Sequence, residues 1–199
     1  MVVRLPRGRH GMTRAEVVRS QRDRVLTALI DAIGEKGYAR TSVADVLFGA
    51  GVSRETFYQQ FSSKHDCFLA AFDAAGERLL ANLAETPTGG TAEATFDALL
   101  ATYLDALARD PAAARLYLVE VHAAGPEALA RRAAMQERFT NALAGLFDAR
   151  GPQERFACEL LVAGIGSLVS ARLAAGDADG LRQLHAPIVE LVKRTWFPR

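Results

Sequence analysis

Arg54, Glu55, Tyr58 and Gln59 fall at positions i, i+1, i+4 and i+5, a spacing that puts them on one side of a short helix. They are donors and acceptors able to reach base edges in a DNA major groove, which is wide enough to admit one helix. Ser42, Ser53 and Ser63 each stand where a helix begins, and a serine there caps the helix by accepting an orphan backbone N–H. The N-termini so marked offer free N–H groups and positive dipole ends to phosphates. Lys64 adds a full charge in the first turn after Ser63, where the dipole alone disfavours a cation and a phosphate would neutralise it. The chemistry these residues favour is recognition of a polyanion.

Positioning them requires two short helices, 42–50 and 53–60, separated by Gly51-Val52. Gly51 supplies the backbone freedom for a tight turn, so the segment reads as a helix-turn-helix. Val43, Val46, Leu47, Val52 and Phe57 would bury the angle between the helices and hold it rigid. The same polar residues would also suit an ordinary helical hairpin facing water. The turn glycine, the three caps and the basic surround of Arg40, Arg54 and Lys64 favour nucleic acid.

Charge distribution agrees. Net charge is +1 overall, yet residues 1–68 carry 11 basic and 7 acidic side chains while residues 69–199 carry 13 and 16. A basic end on a slightly acidic body suits a polyanion partner at that end. Residues 1–12 are basic and aperiodic and read as a flexible arm, whose Arg4, Arg7, Arg9 and His10 could enter a minor groove.

The rest of the chain reads as helix throughout. Of 199 residues, 37 are Ala and 24 are Leu, the strongest helix formers, and no strand alternation appears. Thr13 with Glu16 forms a capping-box pattern opening a helix to about residue 36. Further helices are expected over 63–84, 91–108, 111–123, 126–150, 152–175 and 177–197, the last interrupted near Pro187, which makes nine helical stretches of an all-α protein. The longest uncharged apolar run, 160–171, is 12 residues, short of the ~20 that span a membrane, and no secretory signal is expected at the start. Cys67 and Cys158 are expected as reduced core thiols of a cytoplasmic protein.

Enzyme chemistry finds little support. The four histidines, His10, His65, His122 and His185, lack zinc-ligand spacing. Gly164-Ile165-Gly166 lacks the third glycine and the flanking strand of a dinucleotide site. No metal, cofactor or catalytic residue is expected. The alternatives to a DNA-binding regulator are a helical protein-interaction module that does not bind DNA and, further off, a small helical enzyme.

The run Gly37-Tyr38, Thr41 to Val46 and Ala50 to Lys64, ending AGVSRETFYQQFSSK, resembles the signature of the tetracycline-repressor (TetR) family. Leu47 and Gln60 depart from its commoner Ala and His. The resemblance implies a helix-turn-helix domain, here 13–62, joined by a fourth helix to a ligand-binding and dimerising domain, here 63–199. It implies a homodimeric transcriptional repressor that leaves a double-stranded DNA operator when a small-molecule effector binds. Carried over by position, Ser42, Tyr58, Gln60 and Lys64 would meet phosphates, and Arg54, Glu55 and Thr56 would lie at or near bases. Arg40, Thr41, Ser53 and Gln59 complete the expected DNA-binding set.

A family cavity among the middle helices would draw on Phe68, Phe72, Phe96, Tyr103, Leu107, Tyr117, His122, Phe139 and Phe156, each of which also fits a core or surface role. Mostly apolar walls imply an apolar or aromatic effector. The dimer is expected through the last two helices. Ala163, Ser167 and Ala171 recur every four residues on one, and Ile188, Leu191, Val192 and Trp196 form a stripe on the other.

Overall fold

The computed structural model describes residues 13–197; the basic arm assigned to residues 1–12 lies outside the described residues. All regular structure within them is helical. The elements are α1 (Arg14–Lys36), α2 (Val43–Ala50), α3 (Arg54–Tyr58), α4 (Lys64–Ala84), α5 (Ala92–Arg109) and α6 (Pro111–Leu118). A 3-10 turn at Glu120–His122 follows, then α7 (Pro126–Leu146), α8 (Pro152–Ala175), α9 (Ala178–Gln183) and α10 (His185–Trp196). The last expected stretch is thus divided at Leu184, three residues before Pro187. The proline takes a place in the first turn of α10, where its missing N–H costs nothing.

Local chemistry sets most of these boundaries. Thr13 Oγ1 accepts from Glu16 N at 3.2 Å while Thr13 N donates to the Glu16 carboxylate at 2.6 Å, a reciprocal capping box that opens α1. Ser42 and Asp45 repeat it at α2, where Asp45 N donates to Ser42 Oγ at 3.3 Å and Ser42 N to Asp45 Oδ2 at 2.7 Å. Lys36 lies 2.7 Å from the Asp45 carboxylate, and together with Ser42 it holds that group well below the usual carboxylate range. Asp110 caps α6 ahead of Pro111 at N1, accepting from Ala113 N at 3.0 Å.

Packing joins the N-terminal helices to the rest without a gap. One apolar core runs from Val25 and Leu29 of α1 through Phe57, Phe61, Phe68 and Phe72 to Leu181 and Val192. α1 packs on α2, α4 and α6, and α7 packs on α8. The α1–α6 contact depends on Gly34, because a Cβ there would come within 2.9 Å of the Ala112 Cβ. Cys67 and Cys158 are buried free thiols, and burial pushes Cys67 up to about 12, which leaves it inert at neutral pH.

Candidate nucleic-acid interface and interior cavity

The turn between α2 and α3 places Gly51 at φ 61°, ψ 41°, the left-handed region that glycine enters without a Cβ penalty. α3 is only five residues long, shorter than the expected 53–60, and a helix of that length does not persist alone. Phe57 holds it: fully buried, its ring lies 5.5 Å from Phe61 and 5.3 Å from Tyr58. Arg22 of α1 sits 4.5 Å over the Phe61 ring and ties the far side.

With Phe57 turned inward, Arg54, Glu55, Tyr58 and Gln59 all face solvent. Among the described residues their side chains hydrogen-bond only to one another, Arg54 to the Tyr58 hydroxyl at 3.4 Å and Gln59 to the Glu55 carboxylate at 3.3 Å. Arg54 also stacks 5.3 Å over the Tyr58 ring. Weak exposed contacts of this kind exchange readily for base or phosphate contacts. Ser53 caps α3 by accepting from Thr56 N at 3.1 Å, and its hydroxyl lies 2.9 Å from the half-buried Thr56 hydroxyl. Ser42 and Arg40 are exposed at the start of α2, Arg40 donating to Lys36 O at 2.7 Å.

Two of the expected DNA contacts have other commitments, and a third is partly turned inward. Thr41 is buried, its hydroxyl donating to Gly37 O at 2.8 Å and Ala32 O at 3.2 Å, so its side chain braces the α1–α2 turn and does not face outward. Lys64 Nζ donates to Tyr38 O and Thr41 O, both at 2.8 Å, and stands 4.1 Å over the Tyr38 ring. Its ammonium is half-buried and its pKa lowered by that burial, so it clamps the same turn and has one N–H left to offer. Gln60 Oε1 is buried without a partner. Local sequence reading could not detect these commitments, because the acceptors of Lys64 lie 23 and 26 residues away.

A second feature lies among α4, α5, α6, α7 and α8: a cavity of about 820 Å³, inside the ~300–1,000 Å³ of small-molecule sites. Phe96, Tyr103, Tyr117 and Phe139 line it. The other five expected residues do not. Phe68 packs edge-on against Tyr38 at 5.0 Å, and Phe72 stacks behind Tyr117 at 4.5 Å. Leu107 is a core residue, His122 is exposed on the 3-10 turn, and Phe156 is 58% exposed on α8.

Arg132, Gln136 and Arg138 of α7 also line the cavity and escaped the sequence reading. Arginines on a charged helix read as solvated, and which face of α7 meets the void depends on its packing. The Tyr117 hydroxyl is buried with no hydrogen-bond partner, and burial pushes it up to about 12. Arg132 Nη1 approaches the carbonyls of Leu118 and Tyr117 at 3.3 and 3.5 Å.

The cavity wall connects to the helix-turn-helix end. Just past Tyr117 and Leu118, Glu120 accepts from Tyr38 N at 2.8 Å and from Arg115 at 3.3 Å, while Arg115 reaches Leu173 O of α8 at 2.9 Å. Glu120→Ala would leave the Tyr38 N–H unpaired in a half-buried turn, with an expected stability loss of about 1–3 kcal/mol. Glu120→Gln keeps an acceptor and should recover most of it. Chemical denaturation of the three proteins checks this, and equal losses in both variants would refute it.

α8 leaves an apolar row uncovered: Phe156, Leu160 and Leu168 are 58%, 57% and 48% exposed, with Ala163, Ser167 and Ala171 exposed between them. It is also a described helix long and apolar enough to cross a membrane, with mean hydropathy 1.6 over a window only 22% buried. The 12-residue uncharged run misses this, because charges near the helix ends break the run without cancelling the average. On α10, Ile188 and Val192 are buried within the protomer and Trp196 packs on Phe147 at 5.1 Å. Of the expected stripe only Leu191, 56% exposed, is left for a partner.

A glycine-turned helix pair set against a helical body with an interior cavity defines the class of helix-turn-helix regulatory proteins. Residues 25–71 match the family described as bacterial regulatory proteins, tetR family. The chain is 40% identical over 58 residues to the uncharacterized HTH-type transcriptional regulator YvdT of Bacillus subtilis, a match covering 29% of this chain and 28% of that protein. The fatty acid degradation regulator FadR from Bacillus halodurans superposes with a TM-score of 0.75 at 20% identity, covering 86% of this chain and 94% of that one. FadR from Bacillus subtilis, solved in complex with stearoyl-CoA, gives 0.71 at 20% identity over 89% and 98%. The family match is confined to residues 25–71, and over the whole chain the fold is that of these solved regulators.

Proposed function

We propose that this protein is a homodimeric DNA-binding transcriptional regulator, a repressor that leaves its operator when a small molecule fills the cavity, and that it works in the cytoplasm without catalysing a reaction. The observation that carries the reading is the outward row Arg54, Glu55, Tyr58 and Gln59, bonded only within itself on a helix that Phe57 locks in place. Residues 13–62 form the DNA-reading unit and residues 63–199 the sensing and dimerising unit. Ser42, Ser53 and Arg40 supply phosphate contacts beside the row. Thr41 and Lys64 act mainly by holding the turn that presents them.

In the sensing unit Phe96, Tyr103, Tyr117 and Phe139 contact the effector. The exposed row of α8, with Leu191 of α10, meets the same surface of a second copy. Two-fold symmetry then lets two five-residue helices read two half-sites, which multiplies their discrimination.

Selection of bound sequences from random DNA, followed by mobility-shift titration, tests the reading. Arg54→Ala should weaken specific binding by about 1–3 kcal/mol for each half-site in which it pairs with guanine, and relax the preference there. Unchanged affinity and preference would remove Arg54 from the base contacts. Failure to enrich any sequence would overturn the DNA-binding reading.

A further inference from the structure

We propose that the cavity binds an amphiphile whose apolar body ends in a carboxylate, with Arg132 and Tyr117 holding the carboxylate. The inference rests on the reading of the cavity as an effector site and goes beyond it by naming the ligand class. It also changes the expectation of a plain apolar or aromatic effector.

The walls contain two arginines, Arg132 and Arg138, and no aspartate or glutamate. Two neighbouring acids are already taken: Arg131, one residue before Arg132, pairs with both Asp73 and Glu127. Among the described residues, Arg132 has only the carbonyls of Leu118 and Tyr117, at 3.3 and 3.5 Å. It is half-buried, and burial disfavours its charged form, although a guanidinium keeps its proton in a protein. A cation withdrawn from water with no counter-ion is unfavourable until an anion arrives.

Tyr117, 5% exposed, lines the same cavity, and among the described residues its hydroxyl has no partner. Still protonated at neutral pH, that hydroxyl has a proton to donate to a ligand oxygen. A carboxylate is planar and matches the guanidinium fork with two parallel hydrogen bonds. One negative charge balances the one half-buried cation, whereas a phosphate dianion would bring a second charge to be desolvated. Arg138 is exposed, which keeps it in contact with solvent. The remaining wall is mostly apolar, with Leu80, Leu83, Leu99, Leu143, Phe96 and Phe139 around an apolar body.

Calorimetric titration of the full chain with dodecanoate, its methyl ester, dodecanol and dodecyl phosphate, all below their aggregation limits, tests the proposal. Dodecanoate should bind, and the ester and alcohol should bind about tenfold to a hundredfold more weakly. Arg132→Gln should lose a similar factor for dodecanoate alone, with helix content checked by circular dichroism. Tyr117→Phe, which keeps the ring and its packing, should lose a smaller factor for the acid and none for the ester. No binding of the acid, equal binding of acid and ester, full affinity in Arg132→Gln, or tighter binding of the phosphate would each overturn the proposal.

A parallel DNA-release assay separates this from the regulatory reading. Dodecanoate that binds through Arg132 without releasing DNA keeps the ligand class and removes the effector role. A neutral compound that releases DNA while the acid fails to bind does the reverse.

Discussion

Leu168→Glu should turn dimers into monomers while leaving the fold of each subunit intact. Leu168 is 48% exposed in the protomer, so a carboxylate there costs the isolated subunit little. Seated against a partner the same group would be desolvated without a cation, a penalty of several kcal/mol per ion. Two-fold symmetry places the substitution twice in one interface. Phe156 and Leu160 on the same row would lose their cover together with it. Sedimentation velocity reads the result directly, with thermal melting as a control on the subunit. A persistent dimer with an unchanged sedimentation coefficient would move the interface off α8. Operator affinity should fall in step with dissociation, because a monomer presents a single recognition helix and loses the second half-site.

Phe57→Ala should remove about 3–5 kcal/mol of stability, a large share of the ~5–15 kcal/mol that a natural domain has. The size of the effect follows from its position. Phe57 has no solvent exposure and is the one buried residue of a five-residue helix. Truncation opens a void against Phe61 and removes the contact that aims Arg54 and Tyr58 outward. Specific DNA binding should disappear before the protein unfolds, since α3 is held by this contact and not by its own hydrogen bonds. Phe57→Leu refills part of the space and should cost less. Urea unfolding supplies the free energies and mobility shift the binding. A Phe57→Ala midpoint close to that of the unsubstituted protein would refute the assignment.

The helix starts were legible in the chain because a cap is a contact between neighbours. Thr13 with Glu16, Ser42 with Asp45, and Ser53 with Thr56 each bond across three residues, a distance that spacing alone reveals. Gly51 was legible for a related reason, since its left-handed φ is a property of one residue. The outward row of α3 needed only helical periodicity and one buried aromatic to set its phase.

The inner surfaces were a different matter. Thr41 and Lys64 look like free polar groups until the helices pack, when Ala32 O of α1 accepts from Thr41 and the Tyr38 and Thr41 carbonyls of the α1–α2 turn accept from Lys64. Phe72 and Tyr117 look equally eligible to touch a ligand, yet one stacks behind the other and only Tyr117 reaches the cavity. Phe156 reads as a cavity candidate and lies outside; Arg132 reads as surface and lies at a cavity wall. Hydrogen bonds and backbone preferences act over a few residues, so sequence order carries them. A void, or an uncovered face, is the space left when five helices from distant parts of the chain fail to fill it, and no local pattern records that remainder.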